Sequence, residues 1–137
     1  MCLVSAVLAW AAAQLCKTLI EALTHRRLDW HRLLGDGGMP SGHSATVAAL
    51  TVAALRQYGA SSFAFAVSAV LAAVVMHDAM GVRWQAGQHA RTINRLLRRE
   101  NDTPPEALLE ELLGHTPLQV LVGALLGAII AVLMLGL

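Results

Sequence analysis

Charged residues are scarce in this chain. They make up 14% of its 137 residues, against 56% hydrophobic residues, whereas soluble domains carry about 25% charged residues. Mean hydropathy is +0.58, so the composition predicts a membrane protein, and the length predicts one domain over residues 1–137. The net charge is only +1, and the three Trp, two Phe and one Tyr are not interleaved with a basic stretch. These features argue against a nucleic-acid partner.

Cysteine is also rare. Cys2 and Cys16 both lie in the first apolar segment. If that segment is one helix, they are about 21 Å apart along it, which is too far for a disulfide. A charged region is missing before this segment, so it is predicted to be a membrane helix and not a cleaved signal peptide.

Four apolar segments predict an all-α membrane bundle with about four spans. They cover residues 3–23, 45–55, 63–76 and 118–137. A span needs about 20 residues, so the second segment is long enough only if it begins near Ser41. A polar start of this kind is tolerated in a membrane where it is covered by protein or lines a site. Between the second and third segments, Gly59 as a C-cap and Ser61 or Ser62 as an N-cap predict a tight hairpin.

Residues 84–100 predict a basic amphipathic helix. The residues at helical spacing on its apolar side are Ala86, Ala90, Ile93, Leu96 and Leu97. Those on its basic side are Arg91, Arg95, Arg98 and Arg99. Such a helix either lies on an anionic membrane surface or packs against the rest of the protein, and the pattern favours neither.

The distribution of arginine predicts the orientation in the membrane. Arginines are frequent in residues 24–40 and 83–115, whereas Arg56 stands alone beside residues 58–62. By the positive-inside rule the first two regions are cytoplasmic, and residues 58–62 and 137 lie on the other side.

Two polar clusters each precede an apolar run and carry the candidate chemistry. The first is Pro40-Ser41-Gly42-His43, where Ser41 can cap a helix or contact an oxyanion, Gly42 permits close approach, and His43 can donate a proton. Helix starts favour anions through their dipole and unpaired amides. A plain helix start with an interfacial histidine is an equally good interpretation of these four residues.

The second cluster is His115-Thr116-Pro117-Leu118-Gln119. Thr116 suits an N-cap, and Gln119 lies one helical turn from His115, where it can fix the tautomer of the ring. His115 is then a candidate nucleophile toward phosphorus, with Glu110 and Glu111 near enough to raise its pKa. A capped membrane helix without chemistry is the simpler alternative.

The two clusters together resemble the type 2 phosphatidic acid phosphatases and the related vanadium-dependent haloperoxidases, and most closely their divergent branch of small membrane proteins. The matching segments are Lys17 to Arg27, residues 37–44, residues 78–83, Ala86-Gly87 with Asn94, and residues 113–117. The resemblance implies phosphate binding by Lys17, Arg27, Ser41 and Gly42, acid catalysis by His43 and nucleophilic attack by His115. We also expect an integral protein of a bacterial-type inner membrane without a metal cofactor, and the arginine distribution predicts that the site faces the cytoplasm.

The chain departs from the family pattern in the third motif. Leu109 occupies the position of an expected arginine, and Gln119 replaces an aspartate. An amide can orient a histidine but cannot stabilise its cation as a carboxylate does. Asp78 and Arg83 suggest a replacement, with Arg83 contacting phosphate and Asp78 orienting a histidine or Arg83. A structural Asp–Arg pair at a helix end is an equally good alternative, and a metal site built from Asp78, His77, His43 and His115 has little support from the spacing.

These residues predict a phosphatase-like enzyme that hydrolyses a lipid phosphate or diphosphate through a phosphohistidine. The alternative is a non-catalytic headgroup binder or lipid transporter on the same fold. Membrane lipids and a lipid phosphate are the expected partners. Gly123 and Gly127 permit close helix packing, which favours internal packing slightly over a homodimer.

Overall fold

The computed structural model describes residues 1–25, 38–98, 108–111 and 113–136, and these residues form five helices without strands. The helices are α1 (Cys2–His25), α2 (Gly42–Tyr58), α3 (Phe63–Met80), α4 (Val82–Leu97) and α5 (Pro117–Leu135). The predicted all-α class is therefore confirmed. The predicted hairpin is also observed, because Gly59 caps α2 and the side chain of Ser62 caps α3.

Helix α2 lies at the centre of the bundle. It packs against α1, α3 and α5, and α1 also packs against α5. The core consists of small side chains: Ala9, Ala13, Ala45, Ala49, Ala53 and Ala131. Between membrane helices lipid supplies no hydrophobic driving force, so small residues stabilise contact by letting backbones approach closely.

The contact between α2 and α5 depends on two glycines. A Cβ on Gly123 would overlap the backbone of Ser41, and one on Gly127 would overlap the carbonyl of Ala45. Both glycines are buried within this chain. Both glycines thus serve packing within the chain, which the sequence slightly favours, and the homodimer through Gly123 and Gly127 stays a prediction.

Three helical stretches are long and apolar enough to cross a membrane: Cys2–Thr24, Phe63–Leu97 and Pro117–Leu135. Large apolar side chains cover their outer faces, including Leu3, Phe63 and Leu133. Helix α2 has 17 residues, at the lower limit for a span, but its neighbours enclose it. The chain is thus an integral membrane protein, and most of the first turn of α2 is buried within it.

Helix α4 follows α3 with only Gly81 between them. Its buried face consists of Gly87, Ala90 and Asn94. Residues 108–111 and 113–116, called the return segment below, run back along this face. The Asn94 side chain bonds the backbone N–H and carbonyl of Leu109, each at 2.8 Å, and the carbonyls of Glu111 and Leu113 lie against Gly87. Part of α4 therefore packs on its own protein.

Candidate functional site

The start of α2 is held by its own serine. The Ser41 hydroxyl accepts from the Ser44 backbone N–H at 3.3 Å and from the Ser44 hydroxyl at 2.9 Å, and Ser41 is completely buried. This side chain thus serves the cap that the sequence predicts. His43 projects from the same turn on the exposed side of the helix.

Helix α1 backs the start of α2. Gly42 packs against Trp10 and Gln14, and Gly38 packs against the stem of Lys17, which is 4% exposed. Glycine is needed at position 38 also because its φ is +96°. Lys17, Ser41 and Gly42, which the sequence predicts to bind phosphate, are therefore gathered around the start of α2.

The start of α5 is held by a complete capping box. The Thr116 hydroxyl accepts from the Gln119 N–H, and the Gln119 amide oxygen accepts from the Thr116 N–H at 3.0 Å. The same amide oxygen lies 3.4 Å from Nδ1 of His115, as the sequence predicts. When Nδ1 carries the proton and donates to Gln119, Nε2 carries the lone pair and is the nucleophilic nitrogen. The long distance makes this a weak bond.

His115 is fixed from a second direction. Its backbone N–H donates to the carbonyl of Ala79 in α3 at 2.9 Å, and only 2% of the residue is exposed. Gly114 precedes it with φ +78°, where a Cβ would overlap the backbone of Trp84. The Gly-His pair therefore requires glycine, because any side chain at residue 114 would push the segment away from α4.

The two helix starts meet. The Ser41 N–H donates to the carbonyl of Gln119 at 3.1 Å, which joins the first turn of α2 to that of α5. A cavity of about 210 Å³, large enough for several water molecules, lies beside this contact. Its lining residues are His43, Val74, Val75, Asp78, Ala79, Arg83, Gly114 and His115.

The cavity thus brings four of the predicted site residues together: His43, Asp78, Arg83 and His115. Nε of Arg83 donates to Oδ2 of Asp78 at 2.8 Å, and both side chains are partly exposed, at 47% and 38%. An ion pair this exposed contributes little to stability. Its position beside two histidines gives the cavity one cation and one carboxylate, and the replacement of the missing arginine by Arg83 stays a prediction.

The Glu111 carboxylate, which the sequence suggests could act on His115, contacts α4. Its carboxylate accepts from the Asn94 amide at 2.8 Å and pairs with Arg91 at 3.5 Å. The hydrogen bond from Asn94 and the charge of Arg91 hold the pKa of the Glu111 carboxyl below its usual value of 4.5. Glu111 therefore fastens the return segment to α4.

The remaining predicted residues lie elsewhere. His77 lines a separate cavity with His89, between the end of α3 and the start of α4. In the described part of the chain no group of three or more His, Cys, Asp or Glu side chains is arranged to hold a metal ion. Arg27 lies outside the described residues.

Sequence reasoning missed the apolar wall formed by Val74, Val75 and Ala79, since nothing in a uniform apolar run marks which positions face a cavity. It also gave no role to Gln14, which is 8% exposed and whose amide oxygen has no hydrogen-bond partner within the described residues. The available signal was its polarity inside the first apolar segment. Its position beside Gly42 places it at the start of α2.

Comparison with known proteins agrees with these features. The fold and the site define a class of protein: a helical membrane protein in which two helix starts, each with a histidine, border one cavity. Residues 1–130 match the model of the divergent PAP2 family, and the chain belongs to this family. It is 39% identical to the uncharacterized membrane protein YuiD of Bacillus subtilis (strain 168), over 96% of this chain and 92% of that protein. No solved structure matches it.

Proposed function

We propose that the protein is a membrane phosphatase that hydrolyses a lipid phosphate or lipid diphosphate at the cavity between α2, α3 and α5. The observation that carries this proposal is that His43 and His115, from helix starts 72 residues apart in sequence, line the same cavity. General acid and nucleophile must both reach one phosphoryl group.

The roles follow from the surroundings of each residue. Nε2 of His115 attacks phosphorus, while the Gln119 amide holds Nδ1. The hydrogen bond from the His115 backbone N–H to the Ala79 carbonyl fixes the position of the residue. His43 gives its proton to the leaving oxygen, which leaves as an alcohol or a phosphate. Water, with His43 now acting as base, then hydrolyses the phosphohistidine and releases phosphate. Arg83 faces the negative charge on the phosphoryl oxygens.

Two observations favour a second function, a headgroup binder without turnover. Gln119 cannot offer the negative charge that stabilises a histidine cation, and its amide oxygen is shared between Thr116 and His115. Leu109, at the position of the expected arginine, is 47% exposed and cannot contact an anion. A binder would keep the cavity, the cation and the helix starts while lacking a fast nucleophile.

Phosphate release from a panel of lipid phosphates and diphosphates by the purified protein separates these functions. Turnover in the wild type, absent in His115→Ala at matched folding, supports the enzyme. Binding of the same lipids without phosphate release supports the binder. Absence of both binding and release overturns both.

The orientation of the site is part of the proposal. If residues 83–115 are cytoplasmic, a thiol reagent outside intact cells should not label a Cys placed at residue 102. The same reagent should label a Cys placed at residue 60. The opposite pattern contradicts a cytoplasmic site in a bacterial-type inner membrane.

A further inference from the structure

Helix α4 has a face that no described part of the protein covers. Its inner face, with the buried residues Gly87, Ala90 and Asn94, packs on the return segment, and Arg91 at the edge of this face pairs with Glu111 of that segment. The uncovered face carries Val82, Ile93 and Leu96, which are 69%, 43% and 56% exposed. At 100° per residue these three side chains lie within about 60° of one another, and they form a mainly apolar stripe, on which the exposed Gln85 and His89 also lie.

Three arginines lie on the side of α4 opposite this stripe. They are the exposed residues Arg91, Arg95 and Arg98, and their mean direction is about 180° from that of the apolar stripe. Helix α4 therefore has a surface toward its own protein, a basic surface that borders it at Arg91, and a mainly apolar surface. A helix with an apolar and a basic face, both exposed, is the kind that lies in a membrane interface.

The corner between α3 and α4 shows which way the apolar stripe faces. A cavity of about 470 Å³ is lined on α3 by His77 and on α4 by Val82, Ala86 and His89. His77 and His89 would be about 18 Å apart on one straight helix, so a shared cavity requires the chain to bend at Gly81 with this side inward. Val82 places the apolar stripe on that inward side.

The α3 side of the same corner is the outward surface of the bundle. His77 lies one turn beyond Val74 and two turns beyond Val70, which are 60% and 64% exposed on a helix that is apolar enough to cross the membrane. Lipid covers such a face in a spanning helix. The lipid-facing surface of α3 therefore continues around the corner onto the apolar stripe of α4.

We propose that α4 lies in the interfacial layer of a phospholipid bilayer, with Val82, Ile93 and Leu96 turned into the lipid and Arg91, Arg95 and Arg98 turned toward water and headgroups. The bilayer is the partner of the apolar stripe for two reasons. The stripe adjoins the lipid-facing side of α3, and the opposite side of α4 is basic. This placement does not depend on the proposed phosphatase activity.

The placement also fixes the depth of the candidate site. Arg83 is the second residue of α4 and lines the cavity that holds His43 and His115. An α4 seated in the interface holds this guanidinium at the level of the lipid headgroups.

Fluorescent labels at two neighbouring positions test the proposal. The full-length protein, with Cys2→Ala and Cys16→Ala, receives a single cysteine as Leu96→Cys or, as the matched control, Arg95→Cys. Both positions are exposed and adjacent in sequence, but they lie on different faces of α4. The labelled proteins are reconstituted into phosphatidylcholine–phosphatidylglycerol vesicles that contain either nitroxide-labelled lipids or aqueous iodide.

The proposal expects the label at residue 96 to be quenched several-fold more by nitroxide lipids than the label at residue 95, with the reverse order for iodide. Ile93→Cys, one turn earlier, should behave as residue 96 does and keeps the test valid if one label disturbs the helix. Equal iodide quenching at 95 and 96 overturns the proposal. So does protection of residue 96 that is lost when the protein is diluted in lipid, since that result identifies a second copy as the occupant.

Discussion

The starts of α2 and α5 hold their histidines in different ways. His43 lies on the exposed side of its helix, whereas His115 is 2% exposed and is flanked by a glycine with positive φ, a bond to Ala79 and the Gln119 amide. An exposed imidazole exchanges protons with water readily, as a general acid and base must. A buried ring of fixed orientation suits a nucleophile, because attack requires one nitrogen aligned on phosphorus.

The largest expected effect is the loss of His115. His115→Ala should remove all measurable phosphate release, because the proposed mechanism forms the phosphoenzyme on the ring of His115. His43→Ala should lower kcat by roughly 10²–10⁴-fold, the usual contribution of general acid–base catalysis. His89→Ala, in the separate cavity, is the control. Equal losses in the His43 and His115 variants would contradict the division of roles.

Much of this comparison can be predicted from the sequence. The caps at Ser41 and Thr116, the turn spacing of Gln119 from His115 and the hairpin at Gly59 are local, so neighbouring residues determine them. The hydrogen bonds between Asn94 and Leu109 are not local, because they depend on how the return segment lies along α4. The buried stripe Gly87–Ala90–Asn94 could not be predicted from the pattern, which put only Ala90 of these three on the apolar side, since backbone contact selects small and amide side chains.

The second prediction concerns the contact that joins the two starts. Gly127→Ala places a methyl group in the carbonyl of Ala45, so α5 must move away from α2 and the two histidines separate. Overpacking of this kind costs about 1–3 kcal/mol, which denaturant unfolding in detergent micelles can measure. Leu125→Ala, on the exposed side of the same helix, should cost less. A stability and activity equal to wild type in Gly127→Ala would show that the two starts need not be in close contact.

The third prediction concerns Arg83, which lines the same cavity as the rings of His43 and His115. Arg83→Ala removes a charged contact to phosphate, which typically contributes about 1.5–3 kcal/mol, so lipid-phosphate affinity should fall roughly tenfold or more. Arg95→Ala, on the same helix but away from the cavity, is the control. If Arg83 and Asp78 form only a structural pair, the folded Arg83→Ala protein keeps its affinity, with at most a small loss of stability because the pair is exposed.

The smallest effect is the pH dependence of the return segment that carries His115. Because the pKa of Glu111 is lowered in the folded protein, the unfolded state binds more protons in acid. The contribution of Glu111 to stability is therefore present above pH 4.5 and is lost as the pH falls through the lowered pKa. Glu111→Gln should flatten this acid loss of unfolding free energy. If the unfolding free energy of Glu111→Gln falls in acid as it does in the wild type, Glu111 does not fasten the return segment to α4.

The central claim is that both histidines face one phosphate. Histidine side-chain NMR of the protein in micelles, titrated with a short-chain phosphatidic acid, tests it directly in either the enzyme or the binder. The account predicts that the ring resonances of His43 and His115 shift with a single midpoint, while His77 and His89, which line the other cavity, stay unchanged. Different midpoints, or a shift of only one of the two rings, would contradict it.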